Sequence, residues 1–369
     1  MDTKNNYYNR ILSGPAEKTI LMNFKWLIDF VKAEAGNKLD FQITFNCNKK
    51  GSGNDATIPD KQRGTSRFSI YRGTSRILSL VFSTSGKISI DAADSYRKHC
   101  SPSKDFFTPG GLSKEKLIVY LEKITDNTDR YGRYYINKEN MRVEGFYQNL
   151  INRRYTLTPQ QGDDFIIFDR EFEFGFSCGE AENLQNTDAK DVIKKCKENA
   201  KQHALGAKSP KTIFTNDYEN KDSFDEIDGV GINQNGDILI IEIKHPQNNT
   251  GIVYGPMQVR YYIEQLRKAI SDNVYREEFY DNIKRIIEQK SRMGILNLPQ
   301  NWKIPIKLSG KIIPYLVVGS IEDTPILKSP ELISRFNVIR QAFDDKEFPL
   351  QVKVCQSLTN GTLVDYTIK

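Results

Sequence analysis

The chain has 369 residues, 38% hydrophobic and 27% charged, a balance that suits a water-soluble globular protein with room for two domains and speaks against general disorder. Its net charge of +6 tolerates a nucleic-acid partner without demanding one. Five cysteines with no CxxC pair give no basis for a disulfide framework, a zinc ribbon or an iron–sulfur cluster, and three histidines are too few for a multi-histidine metal centre or HNH-type chemistry. Oxygen is the ligand atom this chain has to offer. No apolar segment reaches membrane-spanning length, and the opening MDTKNNYYNR lacks the apolar core of a secretory signal, so a cytoplasmic location without a membrane partner is expected.

Pro15 opens the first predicted helix, in which Ile20, Leu21, Phe24, Leu27, Ile28 and Val31 recur at helical spacing until Gly36 stops it. Phe41, Ile43, Phe45 and Cys47 then alternate with Gln42, Thr44 and Asn46, the period of a half-buried strand. From Lys49 to Arg76 seven basic residues stand against Asp55 and Asp60, and the pentapeptide RGTSR occurs twice, over 63–67 and 72–76. Small residues beside arginine expose amides and guanidinium groups together. Arg63, Arg67, Arg72 and Arg76 are therefore candidate nucleic-acid contacts, with Phe68 and Tyr71 available to stack on bases; an exposed hairpin with solvated arginines accounts for the same pattern.

Two further strands, 75–85 and 87–90, meet around Ser85-Gly86, so the first hundred residues read as a helix against an antiparallel sheet. Ser113 begins another helix, to about Ile124. Between Asp129 and Tyr155 arginines and tyrosines interleave, which suits either single-strand contact or aromatic core packing. Turn formers crowd into Thr158-Pro159-Gln160-Gln161-Gly162 and set the expected boundary between an N-terminal α+β domain, 1–160, and a second domain, 161–369. The second domain opens with a strand pattern over 165–176 and a helix over 187–205 that buries Val192, Ile193, Cys196 and Ala200.

Two β-type runs follow, 224–232 and 238–244, joined by Gln234-Asn235-Gly236, where a left-handed glycine closes a three-residue loop. If Asn233 pairs with Asp237, Asp228 stands opposite Glu242 and Glu226 opposite Lys244. Three carboxylates and an amine then share one face. Ile238-Leu239-Ile240-Ile241 and Ile243 form the continuous apolar run of a strand buried on both sides, where carboxylates need a counter-charge. A hard divalent cation, best magnesium, would hold Asp228 and Glu242 ionised together, with Lys244 beside it to orient a water nucleophile. A solvent-facing hairpin with a Glu226–Lys244 ion pair is the plainer alternative.

Gly255-Pro256 opens a predicted helix with Gln258 and Tyr262 on one face and Val259, Ile263, Leu266 and Ile270 towards the sheet. His245, before Pro246, reads as a turn residue. Residues 273–292 continue helical with heavy charge, Leu316-Val317-Val318 reads as a buried strand after Pro314, Ser329-Pro330 starts a last helix, and 350–355 alternates as a last strand.

Asp228, thirteen intervening residues and then Glu242-Ile243-Lys244 resemble the signature of the PD-(D/E)XK nuclease superfamily, with Ile227 where the proline would stand. Gln258-x-x-x-Tyr262 resembles its RecB-type branch. The resemblance implies an α/β (α+β) architecture: a restriction-endonuclease-like mixed sheet flanked by helices. It also implies Asp228, Glu242 and the Ile243 carbonyl as ligands of Mg2+, or of Mn2+ in its place. Lys244 would serve the attacking water, and Gln258 and Tyr262 would position the scissile strand. A further glutamate often stands on the preceding helix; among Glu180, Glu182 and Glu198 that role stays unassigned.

The function so implied is a DNA endonuclease, in restriction or phage defence, with a homodimer and a regulatory partner protein as further expectations. No GxxxxGK[ST] occurs, so the chain is not expected to drive translocation with ATP. Two alternatives stay open: cleavage of RNA, and a nuclease fold kept without turnover as a nucleic-acid-binding or scaffolding protein.

Overall fold

A computed structural model describes residues 10–34, 41–47, 66–73, 75–83, 85–92, 94–126, 144–170, 180–206, 213–224, 226–271, 273–319, 326–356 and 361–368. The protein is mixed α+β and contains two sheets. It divides into two compact units, one built from residues 8–159 and 285–298, the other from 160–284 and 299–369.

The first unit comprises α1 (Gly14–Asn23), α2 (Lys25–Glu34), β1 (Gln42–Cys47), β2 (Ser66–Arg72), β3 (Ser75–Phe82), β4 (Ile88–Asp91), α3 (Asp94–Cys100), α4 (Lys114–Asp126) and α5 (Glu144–Thr156). The strands form an antiparallel sheet in chain order. The single predicted first helix is two, because Phe24 leaves the helical conformation at φ −129° and ψ 15°. The apolar period stays in phase across that break, so periodicity alone reads one helix.

Strand β2 lies in the basic segment, with its faces covered rather than in an exposed hairpin, and Phe68 on it is a core residue rather than a stacking platform. β1 is not half-exposed either. Gln42 and Thr44 on its polar side are buried, and the Gln42 amide donates to the Asn149 carbonyl of α5 at 3.0 Å. Residues 285–298 belong here through Gln289, whose side-chain amide accepts from the Leu12 N–H at 2.7 Å and donates to the Leu12 carbonyl at 3.0 Å.

The second unit holds β5 (Phe165–Asp169), α6 (Glu180–Gly206), α7 (Asn216–Glu219), β6 (Gly229–Asn233), β7 (Ile238–Lys244) and α8 (Asn249–Ser271). α9 (Asn273–Arg292) follows and is divided between the units after Lys284. β8 (Ile312–Val318), α10 (Pro330–Phe343), β9 (Gln351–Cys355) and β10 (Leu363–Asp365) complete it. Its six-stranded sheet runs β10-β9-β8-β7-β6-β5, with β8 parallel to both β7 and β9 and the other pairs antiparallel.

Pro314 lies inside β8, not before it. In the β7–β8 register the odd residues of β8 bond to β7, as the Gly319 N–H to Lys244 carbonyl bond shows, so the missing N–H of Pro314 faces β9. Pairing with β9 starts only at Tyr315, and no ladder bond is lost. Helix α8 also begins earlier than Gly255-Pro256: the Asn248 side chain caps it by accepting from the Gly251 N–H at 2.8 Å, and Pro256 sits in its interior. Gly255 permits its close approach to the sheet, since a Cβ there would lie 2.6 Å from a Leu316 methyl.

α8 packs on β7 and β8 with α6 and α10 alongside. Its outer edge is tied to the turn after α10. Arg260 binds Asp345 at 2.6 Å and Glu264 at 2.9 Å, and Arg267 binds Asp345 and, at 2.5 Å, Glu347. Burial raises the Asp345 carboxyl, but Arg260, the Glu347 and Phe348 amides and Arg267 outweigh it and hold the group below the ordinary carboxylate range.

A depressed folded value means that the stabilisation is complete above the unfolded carboxylate value of about 4 and is lost as pH falls through the folded one. Asp345→Asn should therefore lower the urea unfolding free energy at pH 7 by about 1 to 2 kcal/mol, since it removes the carboxylate that Arg260 and Arg267 share while leaving them Glu264 and Glu347. The difference from the parent should shrink on titration to acid; a constant difference would refute the assignment.

Candidate active site

The β6–β7 hairpin pairs Gly229 with Ile241 and Ile232 with Ile238, and the Asn233 N–H donates to the Asp237 carbonyl. That is the register the loop predicts, and Gly236 has the left-handed φ of 84° that closes it. The first run is shorter than predicted: β6 starts at Gly229, not at Phe224.

Asp228 thus stands between the first residue of β6 and the isolated bridge residue Ile227, opposite Glu242 if the register is continued. The hydrogen-bonded pairs alternate from 233/237 through 229/241, so a longer ladder would give the Ile243 N–H to residue 227. The Asp228 carboxylate takes that N–H instead, at 2.7 Å. Strand alternation sends the Ile243 carbonyl to the same side, towards the gap that the end of β6 leaves.

Every residue of β7 is buried, and Glu242 and Lys244 are 2% and 7% exposed. Two apart on one strand, they share a face, and the Lys244 ammonium donates to the Glu242 carboxylate at 2.5 Å. Burial of either charge alone would cost several kcal/mol, so each group depends on the other as its partner. Asp228 is half-buried beside them. Glu226, expected as the third carboxylate, is exposed and lies outside the ladder.

The segment leading to Asp228 is anchored by helices. Tyr262 is 1% exposed, and its hydroxyl donates to the Glu226 carbonyl at 2.9 Å, so this side chain is engaged on the protein's own backbone. Gln258, one turn earlier on α8, is half-buried. The Tyr254 hydroxyl accepts from the Thr215 N–H and donates to the Ile213 carbonyl, and its ring stacks on Tyr218 at 4.1 Å. Lys197 of α6 donates to the Glu219 and Lys221 carbonyls at 2.9 and 2.6 Å. Burial pushes its ammonium below the ordinary lysine range, with Glu219 and Asp222 opposing.

Tyr254 and Lys197 escape a reading by motif. The one available signal is that Lys197 stands in the apolar stripe of its helix beside Ile193, Cys196 and Ala200, where a lysine needs acceptors. His245 behaves as a turn residue, its Nδ1 accepting from the Gln247 N–H at 3.2 Å. Glu198 is exposed on α6, and the side chains of Glu180 and Glu182 lie outside the described residues. So does Arg63. Arg67 and Arg72 are buried on β2 and Arg76 is half-buried on β3, all in the first unit.

The donors gathered at the end of β7 are hard oxygens, two carboxylates and a carbonyl, which fit a magnesium ion that keeps several of its waters. Among the described residues no three His, Cys, Asp or Glu side chains form a metal-binding group. No helix among them is long and apolar enough to cross a membrane. No protein-family model, curated protein or solved structure matches this chain.

Tyr262→Phe keeps the ring and removes only the donor to Glu226. The variant should lose about 1 to 2 kcal/mol in urea unfolding with an unchanged denaturant slope. A loss below about 0.3 kcal/mol would show that the Asp228 segment is held without it.

Proposed function

We propose that the second unit is a magnesium-dependent nuclease that hydrolyses phosphodiester bonds in DNA. The observation that carries the proposal is the Asp228 carboxylate docked on the Ile243 amide, beside the buried Glu242–Lys244 pair on the same strand. Asp228, Glu242 and the Ile243 carbonyl would hold the metal. When bound, magnesium would supply Lewis-acid activation of water and charge neutralisation at the scissile phosphate.

The protein's own residues orient the reaction. Lys244, fixed by Glu242, presents donors to the attacking water and to the charge that grows on the phosphate oxygens. Water adds to phosphorus and the opposite P–O bond breaks, giving a phosphomonoester and a hydroxyl. Tyr262 and Lys197 act as positioning residues, since they hold the backbone that carries Asp228. Cutting both strands of a duplex takes two such sites, which favours a homodimer. Restriction or phage defence follows from the family resemblance alone.

A second reading has one observation in its favour: Glu242 already has a cationic partner in Lys244, so the fold satisfies its charge without metal. A nuclease fold that binds nucleic acid without turnover would look the same at this strand end.

Purified protein, supercoiled plasmid and magnesium separate the two. Asp228→Asn, Glu242→Gln and Lys244→Met should each lower the cleavage rate by about a hundredfold or more, and EDTA should abolish it. Equal cleavage by all four proteins would remove the nuclease reading. Absence of cleavage together with no heat of magnesium or manganese binding would favour the binding protein.

A further inference from the structure

We propose that the first unit carries a phosphate site of its own, in which Arg67, Arg76 and Arg97, gathered round Asp91, hold the backbone of a nucleic acid. Arg67 lies on β2, Arg76 on β3, Arg97 on α3 and Asp91 at the end of the edge strand β4. Guanidinium nitrogens of the three stand 3.6, 3.7 and 3.6 Å from the Asp91 carboxylate. These distances lie within Coulomb range but beyond hydrogen-bond length. Among the described residues, three cations therefore share one anion without a hydrogen bond among them, leaving two positive charges in surplus.

Arg67 is the strongest pointer to a ligand. It is 9% exposed, and its Nε is buried with no hydrogen-bond partner. Burial and the neighbouring Arg76 push this guanidinium below its ordinary range, with Asp91 and Tyr71 opposing. A phosphodiester brings what is lacking, a second negative charge with several acceptor oxygens matched to guanidinium forks.

The chain builds this cluster from its repeated pentapeptide by means of one irregularity. Arg67 and Arg76 close the two copies of RGTSR on neighbouring antiparallel strands. In regular register Arg76 would share the face of Leu78 and Leu80, which is core. The ladder shifts between Ile70 and Tyr71, so that Leu78 pairs with Ile70 but Arg76 with Tyr71, and Ile77 is the extra residue. Tyr71 alternates with Ser69 and Arg67, so the bulge turns Arg76 onto the face of Arg67. The Tyr120 hydroxyl pins the bulge by donating to the Ile77 carbonyl at 2.6 Å.

The site is open. The side chains of Asp91, Arg76 and Arg97 are 33%, 36% and 44% exposed, and Lys98 follows Arg97 on the surface of α3. Such a patch suits a polymer of phosphates crossing it, whereas a small phosphate compound is held by enclosure. It needs neither metal nor Glu242, so it stands or falls apart from the cleavage chemistry.

The test uses the full chain in EDTA and a fluorescein-labelled DNA duplex, with anisotropy titrations at several salt concentrations. The double variant Arg76→Ala/Arg97→Ala alters one half-buried and one exposed side chain, and its melting temperature is measured beside its affinity so that binding is compared between folded proteins. It should bind about tenfold or more weakly, and its slope of log affinity against log salt should fall by about two. Asp91→Asn should bind more tightly, an outcome a merely structural ion cluster would not give. Unchanged affinity and slope in the double variant, or no duplex binding by the parent, would overturn the proposal. Inorganic phosphate raising the melting temperature of a parent that ignores the duplex would overturn it too, by assigning the site to a free anion.

Discussion

The arrangement at the end of β7 rests on one constraint: ionised side chains inside an apolar sheet persist only with partners. β7 lies between β6 and β8 and is buried throughout, yet it ends in Glu242 and Lys244. Their mutual contact makes the burial tenable, and the two-residue spacing that puts them on one face is what permits it. Everything else at this strand end follows from where the neighbouring strand stops. Because β6 starts at Gly229, the Ile243 amide is left for the Asp228 carboxylate, a side-chain contact where a longer ladder would have joined backbone to backbone.

Both units use the same device, an interruption of an antiparallel ladder, to place charge. In the second unit the ladder ends early; in the first it slips by one residue at Ile77. Each interruption is held by a tyrosine hydroxyl on a backbone carbonyl, Tyr262 on Glu226 and Tyr120 on Ile77. Such bonds come from helices packed on the sheet, so the strand irregularities are fixed from outside the strands themselves.

This explains what could be read from the chain and what could not. The β7 run, the loop at Gly236, the register that loop sets and the helix start at Ser329-Pro330 depend on local spacing, and all are legible. The strand within the basic segment depends on its pairing with β1 and β3, whereas the break at Phe24 lies within an unbroken apolar period and the early start of α8 rests on the Asn248 cap, upstream of the more conspicuous Gly255-Pro256. Arg67 and Phe68 illustrate the difference. Adjacent on β2, one faces the polar side and the other the core, and nothing in a run of arginines and serines says that the segment is a strand with covered faces.

The link between Gln289 and the backbone of Leu12 spans 277 positions and completes the first unit with a late piece of chain. During synthesis, therefore, the contact between Leu12 and Gln289 can form only after the other sheet's central hairpin and its covering helix have emerged, so the last piece of the amino-terminal unit is added late.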